Sequence, residues 1–74
     1  VLTLFPASTA LPAGTLIEKI ESKPEDLHRD GARGRVVAPM VRAGFSVGYY
    51  VEWDDMPGVP CYIAPFRIRA ILPQ

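Results

Sequence analysis

The clearest periodic signal lies at residues 47 to 53. Val47, Tyr49, Val51 and Trp53 alternate with Gly48, Tyr50 and Glu52. Successive side chains on a strand point to opposite faces, so a period of two with one apolar face predicts a half-buried strand. Tyr50 makes the other face only partly polar. Four further strands follow from the same reasoning: "TLIEKIE" at 15–21, "RVVAPM" at 35–40, "VPCYI" at 59–63 and a short closing "IRAIL" at 68–72. Between them lie a polar loop, "SKPEDLHRDGARG", a connection, "VRAGFS", and a turn, "DDMPG". "APFR" predicts one helical turn, because Pro65 sits at the favoured first helical position.

Proline strengthens this reading. The chain has eight prolines in 74 residues. Each removes a backbone donor and clashes with the preceding turn, so no long helix fits. Gly31 and Gly34 break the long proline-free interval between Pro24 and Pro39. The fold must therefore be built from short strands. Five strands, a long first loop and a helical turn before the last strand describe an all-β, five-stranded SH3-like barrel over residues 14–74. Residues 1–13, "VLTLFPASTALPA", are apolar. They lack a basic leading region, and Pro6 and Pro12 interrupt them, so they read as a flexible or partner-bound arm rather than a secretion signal.

A chain this small buries only about 60% of its unfolded surface and usually needs reinforcement. Cys61 is the single cysteine, which rules out an internal disulfide, and one Cys with one His cannot fill a zinc site. An apolar content of 49% then points to a homo-oligomer. Eight basic residues balance eight acidic ones. A neutral chain has no global field to draw it onto nucleic acid or anionic lipid, which favours a protein partner over a nucleic acid. No apolar run approaches the roughly 20 residues of a membrane helix, and a cytoplasmic location is expected.

Candidate chemistry is sparse. Asp54 and Asp55 could ligate a cation or act as a base, but adjacent carboxylates diverge on a strand, and Asp followed by Pro-Gly opens a hairpin. Tyr49 and Trp53 lie on the apolar face and read as core. Tyr50 and Tyr62 are the surface candidates, an exposed pair able to meet across a hairpin. Arg29, Arg33, Arg35, Arg67 and Arg69 could form a phosphate-binding patch, or be solvated charges paired with Glu25, Asp26, Asp30 and Glu52. His28 reads as a solvated loop histidine with no adjacent nucleophile. Cys61 reads as a small buried side chain. No catalytic residue, metal site or cofactor emerges from these patterns.

Two resemblances add to this. "GARGRVV" resembles the Gly-x-x-Gly-x-Val strand start of many SH3-like barrels, KOW modules among them. From Gly34 onward, about half of the chain, "GYYVEW" and then "PGVPCYIAPFRIRAI" are similar in order and spacing to the C-terminal half of the plasmid-borne type II dihydrofolate reductases. That family consists of small barrels that assemble as tetramers around a pore. Their Val-Gln-Ile-Tyr strand corresponds to Pro60, Cys61, Tyr62 and Ile63, with Cys61 in place of Gln and Tyr-Ile in place of Ile-Tyr. The resemblance implies Cys61, Tyr62 and Ile63 as pore-lining residues and NADPH as a cofactor. The reading of the residues themselves favours a non-enzymatic interaction or oligomerisation module. Its loop at 22–33, Tyr50 and Tyr62, with Arg33, Arg35 and Arg67, would face the partner. A reductase-like pore enzyme and a KOW-like RNA-contacting domain are the alternatives.

Overall fold

The computed structural model describes residues 5–71. Expectations for residues 1–4 of the arm and 72–74 beyond the closing strand lie outside the described residues. The chain is all-β. Its strands are β1 (Phe5–Pro6), β2 (Leu16–Lys19), β3 (Arg33–Arg42), β4 (Phe45–Trp53), β5 (Pro60–Ile63) and β6 (Ile68–Ala70). They form one sheet in the order β1-β4-β3-β2-β6, with β5 also paired to β4, and the sheet curls into a half-barrel. Every pairing is antiparallel. The expected helical turn before the last strand is a 3-10 turn at Pro65–Arg67. It carries the chain from β5 across to β6, which pairs with β2.

Among the described residues the strand count is six rather than the expected five, because β1 adds two residues to the edge of β4, Phe5 opposite Ser46 and Pro6 opposite Phe45. The segment after β1 stays against the sheet. The Ala7 N–H donates to the Gly44 carbonyl at 2.8 Å, and the Leu11 N–H to the Tyr49 hydroxyl at 3.0 Å. The expected six-residue connection 41–46 shrinks to a two-residue hairpin loop. Ala43 and Gly44 both have positive φ, 51° and 82°. That geometry matches the right-handed twist of the flanking strands and lets pairing run to Arg42 and resume at Phe45.

The core comprises Ile17, Val36, Tyr49, Val51, Trp53 and Ile68, drawn from β2, β3, β4 and β6. Burial of each contributes roughly 1.5–3 kcal/mol. Tyr49, Val51 and Trp53 thus occupy the face that alternation predicts. Val47 does not: it is 40% exposed, while Ser46 is buried. The register explains this. Met40 pairs with Gly48 and Val41 with Ser46, so Val47 is an extra residue on β4. A second shift leaves Val37 extra on β3, between the pairs Val36–Val51 and Ala38–Tyr50. Such bulges break the alternation and turn their extra side chain outward. Pro39 lies between them, past Val36, where β3 no longer has β2 as a neighbour and a missing N–H is tolerated. Among the described residues, no helix is long and apolar enough to cross a membrane.

Candidate functional site

Two surfaces carry the residues of interest. The first is the outer face of β3–β4–β5. Register places Ala38, Tyr50 and Tyr62 in one row across three strands. Tyr50 and Tyr62 are 43% and 55% exposed. The Tyr62 hydroxyl donates to the Val47 carbonyl at 2.9 Å, which lays its ring over Gly48. Gly48 has φ +154°, and a Cβ there would collide with that ring. The aromatic cover over an unsubstituted backbone fixes Tyr62 in one orientation. The adjacent row is Arg35–Glu52–Pro60. Arg35 Nη2 donates to Glu52 Oε1 at 2.8 Å, so the border of the tyrosine row is internally neutral.

The second surface is the end of the half-barrel where the loop after β2 meets the loop after β4. Here the sequence misleads. His28, expected to be solvated, is 8% exposed, and its neighbour Leu27 is 73% exposed. The His28 ring stacks on Trp53, with centroids 4.6 Å apart and planes 27° from parallel. Its Nε2 lies 2.8 Å from Asp55 Oδ1. A carboxylate only accepts, so Nε2 carries the proton. Asp55 therefore ties the two loops together, and the hairpin-opening role expected of Asp54-Asp55 acquires this contact. No period marks His28 in the sequence. A lone aromatic ring in an otherwise polar loop was the available signal.

Lys19 is buried even more deeply, at 2%. It shares the inward face of β2 with Ile17. Its ammonium donates to the Ile20 carbonyl at 3.1 Å, Ser22 Oγ at 3.0 Å and Asp26 Oδ2 at 3.0 Å. Three donors meet three acceptors, which offsets the cost of enclosing a polar group. Asp26 Oδ2 also accepts from Arg67 Nη1 at 2.8 Å and from the Lys23 N–H at 2.9 Å. The Lys23 N–H first, and Lys19 next, hold the Asp26 carboxyl down at about 2, against the opposing effect of desolvation. The Ser22 hydroxyl and N–H likewise lower Asp30. Arg29 donates to the carbonyls of Lys23 and Pro24, both at 2.8 Å, and closes the loop on itself.

A cavity of about 240 Å³ opens between residues 25–28 and β5, with His28, Trp53, Cys61, Tyr62 and Ile63 on its walls. Cys61 pairs with Val51 and Ile63 with Tyr49, on the core side of β5, while Tyr62 pairs with Tyr50 on the outer side. The three positions that the reductase resemblance marks as pore-lining therefore divide between two faces of one strand. The arginines do not gather into one patch. Arg35 pairs with Glu52, Arg67 with Asp26 and Arg69 with Glu18, while Arg33 is exposed. Among the described residues, no three His, Cys, Asp or Glu side chains converge as metal ligands. Comparison of the chain with protein-family models, curated proteins and solved structures finds no match.

Proposed function

We propose that this chain is a non-enzymatic interaction module, an SH3-like small barrel, that associates with a second copy of itself through the Tyr50/Tyr62 face. The observation that carries this reading is the direct cross-strand pairing of two half-exposed tyrosines on a rigid three-stranded surface. Tyrosine offers large contact area at low entropic cost, and it is enriched in interface cores. Ala38 keeps the row free of charge, Gly48 lies uncharged beneath the Tyr62 ring, and the two bulge valines add apolar surface. A charge-free patch is self-complementary about a two-fold axis without matched ion pairs. The size of the molecule favours the same conclusion, since among the described residues six buried core residues stand against ten exposed large hydrophobics.

Sedimentation velocity over a concentration series tests the reading. The wild-type chain is expected to self-associate, and the Tyr50→Ser/Tyr62→Ser pair to sediment as a monomer with unchanged circular dichroism. A wild-type monomer at the highest concentration would reject it. With dihydrofolate and NADPH, no absorbance change is expected, because Cys61 and Ile63 face inward where the resemblance implies a pore lining. Turnover would replace the interaction reading with the enzymatic one.

A further inference from the structure

We infer that the cavity between residues 25–28 and β5 is a binding site for a guanidinium or primary ammonium group. The inference is independent of the Tyr50/Tyr62 reading. It rests on the hydrogen-bonding capacity that the fold leaves over at this place. Lys19 is the cation on the cavity wall, and all three of its donors are occupied internally. An anionic ligand would find no ammonium donor there without breaking the network that keeps Lys19 buried. The acceptors are less fully used. Glu25 lines the cavity, is exposed, and takes part in no ion pair among the described residues. Asp26 also lines the cavity, and its bonds to Lys19, Lys23 and Arg67 all run to Oδ2, which leaves Oδ1 as an acceptor. A site rich in acceptors and without a vacant cationic donor selects a ligand that donates.

The walls suit a cation. Trp53 supplies aromatic surface, which attracts positive charge through the ring quadrupole. Leu27 and Ile63 can cover the methylene stem of a lysine- or arginine-like group. Size narrows the class further. About 240 Å³ falls below the roughly 300–1,000 Å³ of drug-sized ligand pockets, so the site takes one side chain or a fragment rather than a dinucleotide. The rigid frame is already built, because the His28–Trp53 stack and the Lys19–Asp26 network hold both walls without a ligand.

The test titrates the chain with N-acetylarginine amide, followed by the Trp53 indole and backbone amide shifts in NMR spectra. N-acetylnorleucine amide and N-acetylglutamate amide serve as controls. Saturable shifts at residues 25–28, Trp53 and Tyr62 are expected with the arginine compound alone. Glu25→Gln removes an exposed charge and should leave the fold intact. It is expected to weaken binding about five-fold. An extended peptide with one central arginine between valines and threonines separates two sources of the cation. Tighter binding than the amide points to a partner's side chain, and equal binding to a free small cation. No saturation at tens of millimolar, or equal binding of the norleucine control, would overturn the inference. Neither result bears on sedimentation, so this proposal and the proposed function fail separately.

Discussion

The β4 stripe and the loop between β2 and β3 bury their side chains by opposite means. On β4, alternation puts Tyr49, Val51 and Trp53 inside, and apolar burial does the work. In the loop, the residue hydropathy would put inside, Leu27, is exposed, and His28 and the adjoining Lys19 are enclosed. Both polar groups are enclosed because every contact they need is supplied, by Asp55 and Trp53 for one and by Ile20, Ser22 and Asp26 for the other. Hydrophobicity decides position where the backbone is regular. Where the backbone is irregular, local hydrogen-bond satisfaction decides it.

Trp53 belongs to both regions, so its loss should have the largest effect. Trp53→Ala removes core volume and the surface on which His28 stacks, and is expected to destabilise the fold by about 3–5 kcal/mol, read from a denaturant midpoint. The Lys19–Asp26 pair comes next and tests the polar region alone. Asp26→Asn leaves a buried ammonium without its counter-charge and should lower the melting temperature markedly. Lys19→Met removes the charge and fits the apolar face beside Ile17. Asp26 keeps Arg67 and the Lys23 N–H as partners, and no charge is left buried and unpaired, so Lys19→Met is expected to cost less stability than Asp26→Asn. Equal losses in the two variants would contradict the distinction.

The same pair carries a pH dependence of definite sign. Asp26 titrates at about 2 in the folded chain and near 3.8 when unfolded. Between those values the unfolded chain binds more protons, so acid favours unfolding. The stabilisation is complete above about pH 4 and declines as the pH falls toward 2. Thermal melts across that window should show the decline in wild type and less of it in Asp26→Asn.

Gly48→Ala probes the regular region where it departs from regularity. The positive φ and the Tyr62 ring oppose a Cβ, and a loss of about 1–3 kcal/mol is expected. Adding Tyr62→Ala should recover part of it in a double-mutant cycle, since one cause is the ring itself. The smallest effect belongs to Leu27→Ser, expected within about 0.5 kcal/mol of wild type by chemical denaturation. A large loss there would mean that Leu27 packs inside after all.

The β class, the short strands, the Pro65 turn and the inward Tyr49-Val51-Trp53 stripe were legible in the sequence because each depends on neighbours within a few residues. Tyr50 and Tyr62 were legible as an exposed pair for the same reason, being near the ends of one hairpin. Val47 was misread because the bulge that turns it out is a property of β3–β4 register rather than of β4's own pattern. His28 was misread because its two contacts, Trp53 and Asp55, are distant in sequence. The type I′-like loop at Ala43–Gly44 was blurred because alanine with positive φ carries little sequence signal.

By itself, then, the sequence determined that this chain is an all-β molecule with Tyr50 and Tyr62 outside and the Tyr49-Val51-Trp53 stripe inside. Proline spacing and period-two alternation act locally, and they leave few other structures open. Only the tertiary structure decided that Lys19 and His28 are interior, that the bulge valines Val37 and Val47 are exterior, and that a small cavity lies beside β5. Those outcomes follow from contacts between distant segments, whose enclosed polar groups must be satisfied wherever the chain brings them together.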